Sequence, residues 1–213
     1  MSAHKTRAGN LAVDNAPEHT HSKIALRRWV MEQLSPAHVL DVFAGIDGEM
    51  HTAVWKSAAS YVGIDERWRS DDDRQRLVGD SYKILRSIDL ERFNLFDIDC
   101  YGMPWEAMLI IAARRQWKPG ERGAVVCTDS ALRARFGFAS HAQVAATGLP
   151  DRRLGKPDPH RQRAMNDLAI ARWSRSSNVR IDQMRRIDGK KTGAAMQYFA
   201  FVFHTASAND RDR

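Results

Sequence analysis

Five apolar, strand-like runs in this chain each carry or meet a carboxylate near their end, and that recurrence restricts the fold more than any single residue does. His38 to Ala44 (HVLDVFA) carries Asp41 and runs into Gly45-Ile46-Asp47-Gly48, and Ser60 to Asp65 (SYVGID) stops at Asp65. Gln75 to Gly79 is a weaker run before Asp80. Phe93 leads into Phe96-Asp97-Ile98-Asp99, and Gly123 to Thr128 (GAVVCT) meets Asp129. Between these runs, Glu49 to Ala59, Tyr82 to Ile88, Trp105 to Gln116 and Ser140 to Thr147 read as helices. Ser22 to Leu34 is a helix ahead of the first run, and His160 to Ser174 is a basic one after the last. Strands alternating with helices pair in parallel, with helices over both faces. Val179 to Ile187 and Ala195 to His204, flanking Asp188-Gly189-Lys190-Lys191, form a closing hairpin. The expected architecture is α/β, a mostly parallel seven-stranded sheet closed by an antiparallel hairpin. The 213 residues suit one domain over 22–205, with polar disordered tails over 1–21 and 206–213.

Open α/β sheets bind ligands at the carboxyl ends of their strands, near the point where the strand order reverses. The acids and glycines sit at those ends. A glycine turn after the first strand lets backbone approach a ligand closely, and an acid ending the second strand can accept from a ribose diol. The Gly-x-Gly-x-x-Gly dinucleotide fingerprint is absent. In the fourth run, alternation puts Asp97 and Asp99 on one face. Tyr101 and the turn Gly102-Met103-Pro104 follow at once, the layout of a site's rim. Carboxylates on an apolar strand are costly unless they are paired or at work.

Charge is concentrated. Between Asp151 and Lys191 twelve Lys/Arg face five Asp, a net +7 that equals the charge of the whole chain. Such a footprint favours a polyanion, nucleic acid above all, over a merely solvated surface. No apolar run reaches the ~18 residues that a membrane span needs, and residues 1–20 lack the apolar core of a signal peptide. The reading is a cytoplasmic protein without membrane contact, its Cys100 and Cys127 buried as free thiols. Metal-ligand spacings, a phosphate-loop motif and a Gly-x-Ser-x-Gly elbow are all missing, so no metal site is expected. Nothing in the sequence specifies an oligomeric state.

The succession VLDVFAGIDG, YVGID, VGDS and FDIDCYGMPW resembles the motif order of the class I S-adenosylmethionine-dependent methyltransferases, over about Val39 to Asp129. Within it, DIDCYGMP and VVCTDSA are similar to segments of the tRNA guanine-N2 dimethyltransferases. Asp99-Cys100-Tyr101 stands where amino-methyltransferases carry [D/N]-P-P-[Y/F]. The resemblance implies a Rossmann-like fold and S-adenosylmethionine as cofactor. Asp41 and the turn from Phe43 through Ala44 and Gly45 to Gly48 would hold its methionine end. Asp65 would hold its ribose and Asp80 its adenine amino group. Asp99 and Tyr101 would face the substrate amine, with Asp97 in support. The chain departs from the pattern at its second glycine, which comes one place late, at Cys100 in place of proline, and at Met103 in place of serine. The extra Cys-bearing domain of the tRNA enzymes has no counterpart in this sequence.

The expected function is N-methylation of an exocyclic amine on a nucleic-acid base, RNA ahead of DNA. A carboxylate that accepts an amine N–H can aim the nitrogen lone pair, and alignment supplies much of the rate in such displacements. Two alternatives stand beside it. One is a non-catalytic nucleic-acid-binding module of the same fold, and the other a methyltransferase for a protein or small-molecule amine.

Overall fold

The computed structural model describes residues 17–67, 73–130, 139–149, 159–188 and 196–205. Residues 1–16, 189–195 and 206–213 lie outside them, as do basic residues Arg152, Arg153 and Lys156; the expected hairpin turn with Lys190 and Lys191 falls within 189–195. In chain order the elements are α1 (Pro17–Gln33), β1 (His38–Asp41), α2 (Glu49–Ala53), β2 (Ser60–Asp65), β3 (Arg76–Val78), α3 (Ser81–Leu85), β4 (Leu95–Ile98), α4 (Trp105–Arg114), β5 (Arg122–Asp129), α5 (His141–Thr147), α6 (Pro159–Ser176), β6 (Val179–Asp188) and β7 (Gln197–Thr205). The seven strands form one sheet in the order β3-β2-β1-β4-β5-β7-β6. Strands β1 to β5 pair in parallel, whereas β7 runs antiparallel to both β5 and β6. The order reverses between β1 and β4, so their carboxyl ends frame the crevice that this topology opens to ligands.

Period-two alternation sorts the core into two layers. Val39, Leu95, Val126, Ala200 and Val202 face Leu26, Trp29 and Val30 of α1 and Met50 of α2. Leu40, Phe96, Val125, Phe199 and Phe201 face α4 and α6 through Met108, Ile111, Ile170 and Trp173. The parity that points Val39 and Leu95 at α1 carries on to Asp41 and Asp97, so the strand-end acids open toward α1.

Of the boundaries that differ from the sequence reading, three shape the site. Helix α1 starts at Pro17 rather than Ser22, and its early part is tied down by the Tyr198 hydroxyl and His19 Nδ1 at 2.8 Å. The helix expected over Glu49 to Ala59 stops at Ala53 and resumes as a 3-10 turn, Trp55–Ser57, because Val54 leaves helical geometry at φ −141°. That break turns Trp55 inward to a carboxylate. β1 ends at Asp41, and the residues beyond it curve into the glycine turn while Val42 N and Ala44 N still bond Asp97 O and Ile64 O. No helix of the described residues is long and apolar enough to cross a membrane.

Candidate active site

At the switch point the strands bring Asp41 and Asp97 side by side in register, an arrangement that repels unless a cation joins it. Arg27 of α1 is that cation. Its Nε donates to Asp97 Oδ2 at 2.7 Å and its Nη2 to Oδ1 at 2.6 Å, while Trp55 Nε1 donates to Oδ2 at 2.8 Å. Asp97 is fully buried and absent from the cavity wall. Both its oxygens are engaged, so the carboxylate anchors α1 to the sheet from behind the site and has no approach to a substrate.

Asp99, two residues on, reaches the cavity. Its Oδ1 accepts from Thr128 Oγ1 at 2.7 Å and meets Lys23 Nζ at 2.9 Å, and Oδ2 lies 3.2 Å from Arg27 Nη2. Burial works against its charge, but Arg27, Lys23 and the Thr128 hydroxyl outweigh burial and hold the carboxyl below its ordinary range. Asp99 is thus ionised at neutral pH, where it accepts hydrogen bonds.

Asp41 is the opposite case. Tyr61 donates to its Oδ2 at 3.1 Å, while its Oδ1 is buried without a partner. Burial and the neighbouring Asp97 charge push its carboxyl well above the usual range, despite Arg27. A carboxyl whose folded pKa is raised costs stability, in full above the folded value; the cost shrinks as pH falls below that value and is gone below the unfolded pKa. Asp41→Asn, which keeps the acceptor for Tyr61, is therefore expected to be more stable than wild type at pH 7. Thermal melts across pH check this, with the two proteins converging on acidification.

The turn after β1 is held open from two sides. Asp65 at the end of β2 accepts the Gly45 N–H at 3.0 Å and the Arg67 N–H at 2.9 Å. Gly45 and Gly48 have φ of +67° and +60°, conformations that favour glycine. Arg74 lies against Gly48 and reaches the carbonyls of Gly45 at 3.3 Å and Ile46 at 3.2 Å. A side chain at Gly48 would put Cβ 2.4 Å from the Arg74 guanidinium carbon. The late second glycine is thus accommodated by a buried arginine that fills the widened turn and satisfies its carbonyls.

One cavity gathers Thr20 and Lys23 of α1, Asp41, the whole turn from Phe43 to Met50, Asp65, Asp99, Cys100, Tyr101, Thr128, Ser130, Met196 and Tyr198. Of the predicted residues it brings together Asp41, Phe43, Ala44, Gly45, Gly48, Asp65, Asp99 and Tyr101. Asp80 is not on this wall. Its Oδ1 caps α3 by accepting the Lys83 N–H at 2.9 Å. Tyr101 stands 59% exposed at the rim, also walling a second hollow with Tyr82, Met103 and His141. Ser130 fixes that rim, donating from N and from Oγ to the Gly102 carbonyl, both at 2.9 Å. Behind Ser130, Asp129 is buried against Gln162 at 2.5 Å and Asn166 at 3.0 Å of α6. Cys100 and Cys127 are buried free thiols, and burial pushes Cys100 up to about 12.

Sequence reasoning missed Lys23, Arg27, Trp55, Arg74 and the α6 carboxamides. A signal existed for the first two: positions 23, 27, 30 and 34 fall on one helical stripe, and basic residues there need an anionic partner.

No protein-family model matches the chain, and no curated protein matches it by sequence. Solved structures do match in fold. Trm1 from Pyrococcus horikoshii, in complex with S-adenosyl-L-methionine, aligns at a TM-score of 0.55 and 13% identity, covering 91% of this chain and 56% of that one. The N-methyltransferase NodS from Bradyrhizobium japonicum, in complex with S-adenosyl-L-homocysteine, aligns at 0.55 and 11%, covering 92% and 91%. A candidate hemolysin from Lactococcus lactis aligns at 0.55 and 11%, covering 86% of each. The sheet order and these likenesses define a Rossmann-like class I methyltransferase fold. Fold alone does not fix an activity; the site must supply it.

Proposed function

We propose that this protein is an S-adenosylmethionine-dependent N-methyltransferase acting on the exocyclic amine of a nucleic-acid base, RNA ahead of DNA. The observation that carries the reading is the pairing of two unlike carboxylates across one cavity. Asp41 presents an orphaned buried oxygen beside a glycine turn, and Asp99 presents one charged at neutral pH beside an exposed tyrosine.

The residues fit the cofactor. A buried carboxylate oxygen without a donor is costly, and the ammonium of a methionine moiety would satisfy Asp41 Oδ1. The position of Gly45 leaves open space where a Cβ would stand, with nothing within 4 Å, so backbone can close on a ligand there. Asp65 keeps acceptor capacity for a ribose diol, because each of its oxygens holds one backbone N–H and has a second lone pair. The three acids also suit a sulfonium. Bound S-adenosylmethionine supplies an electrophilic methyl group. Asp99 accepts an N–H from the incoming amine and so aims its lone pair. Tyr101 offers a face for stacking, worth ~1–3 kcal/mol per base.

The polyanion reading rests on the basic segment. Arg161, Arg163, Arg172 and Arg175 of α6 and Arg180 and Arg185 of β6 are exposed. Asp129 and Ser130 link α6 to the Tyr101 rim. One observation favours a second reading, a protein or small-molecule amine: Asp99 already holds the aliphatic ammonium of Lys23.

Incubation with methyl-labelled S-adenosylmethionine and total RNA or DNA, followed by nucleoside analysis, tests the proposal. Label in one methylated base is the expected result. Binding of RNA should weaken steeply with salt, log K falling linearly in log salt as phosphate contacts are screened. A salt-insensitive response with label on protein or small amines would replace the substrate assignment. Calorimetry showing that the folded protein takes up neither S-adenosylmethionine nor S-adenosylhomocysteine would leave only a binding module.

A further inference from the structure

Lys23 brings a primary amine of the chain itself into the cavity. Its Nζ lies 2.9 Å from Asp99 Oδ1 and 6.0 Å from the centroid of the Tyr198 ring, and its side chain is 17% exposed. A purely structural ion pair does not need it there. Arg27 already bridges Asp97 and Asp99 from the buried side, and a lysine on the early part of α1 could extend its flexible stem into water at little cost. Instead the stem lies along the wall that also carries Asp41, Gly45 and Tyr101. The carboxylate positioned to hold an acceptor amine holds this one.

We infer that Lys23 is an internal acceptor: without an external amine, the site methylates Lys23 Nζ. This rests on the methyltransferase reading of the cavity. The balance is that of any amine alkylation by a sulfonium. The ammonium first gives one proton to water, and the freed lone pair forms the N–C bond with the methyl group. The methyl–sulfur bond breaks with its electrons left on sulfur, and the neutral thioether departs. The nitrogen takes over the positive charge that sulfur loses, so the product is already a methylammonium and its ion pair with Asp99 survives. An acceptor tethered in the site needs no encounter step, and Asp99 aligns it as it would an external amine. It follows that an external amine must displace Lys23 from Asp99 before it can be aimed.

Three measurements on the purified full chain test this. First, the protein is incubated with methyl-labelled S-adenosylmethionine and no acceptor, digested, and its peptides weighed. The Lys23 peptide should gain the mass of one CH2 per methyl, and Lys23→Arg, which keeps the ion pair, should lose the label at that site. Second, cofactor-free protein is treated with a water-soluble carbodiimide, which joins touching ammonium and carboxylate groups as an amide. A Lys23–Asp99 cross-link, lighter by one water, is expected. Third, S-adenosylhomocysteine binding is measured by calorimetry. Binding with an unmodified Lys23, or with label only on other residues, overturns the inference and leaves the proposed function standing. A missing cross-link in folded protein overturns the placement of Lys23 and the inference with it. No binding at all overturns both.

Discussion

Asp99→Ala is expected to lower methyl transfer by roughly 10²–10³-fold, the scale of losing one positioned polar group from a reacting centre, while S-adenosylhomocysteine binds within a few-fold of wild type. The two effects separate because the two halves of the cavity have different supports. The cofactor half is built from β1 and β2: Asp41, Asp65 and the turn that Arg74 closes. None of these touches Asp99. The fold also tolerates the change, since Arg27 keeps both its bonds to Asp97 and Lys23 can turn to solvent. The stability effect has a defined sign. Asp99 is held below the ordinary carboxylate range, so its contribution is complete above the unfolded pKa of ~3.9 and disappears as pH falls through the folded value. Wild type and Asp99→Ala should thus differ most near neutrality and converge in strong acid. Single-turnover assays with calorimetry check the split. Transfer at the wild-type rate would remove Asp99 from the mechanism, and loss of cofactor binding would place it in the wrong half of the site.

The sheet was legible because its signals are local and repeated. Period-two runs ending in acids mark β1, β2, β4 and β5, and Asp-Gly at the head of a polar turn marks the closing pair of strands. The cavity wall from β1, β2 and β4 was legible for the same reason, since strand ends converge wherever a parallel sheet reverses order. What could not be read is the identity of partners across the fold. Asp97 and Asp99 look alike in FDID, yet one is sealed by Arg27 and Trp55 and the other opens to the cavity. That difference is set by residues 70 and 42 positions away. Asp80 shows the converse. An acid after a short strand and before a helix fits a ligand contact and a helix cap equally well, and only the folded chain shows the hydrogen bond from Lys83 N that makes it a cap. The displaced glycine is likewise explained only by a distant partner, Arg74, which lies beside Gly48 though 26 residues after it.

Arg27→Met is expected to be the most destabilising single change at this site, by about 3–5 kcal/mol, the usual cost of stranding one partner of a buried ion pair. Arg27 is 1% exposed and Asp97 fully buried, so water cannot replace the lost guanidinium. Trp55 alone would remain on Asp97, with Asp41 and Asp99 repelling it. For a chain of this length each kcal/mol moves the melting temperature by ~2–4 °C, so a fall of about 6–20 °C is expected at pH 7. The deficit should depend on pH in a set direction. Burial already raises the Asp97 carboxyl even with Arg27 beside it, and without that cation it rises further. A raised carboxyl pKa means that the folded state binds the proton more tightly than the unfolded state. The variant should therefore regain stability as pH is lowered from neutrality toward the ordinary carboxylate range. A second substitution separates charge from packing. Arg27→Met with Asp97→Asn removes the stranded charge and leaves an acceptor for Trp55, so the pair should recover much of the loss. Urea and thermal unfolding of both variants across pH test the account. If Arg27→Met melts with wild type at pH 7, or if Asp97→Asn gives no relief, the Arg27–Asp97 pair does not anchor α1 over the site.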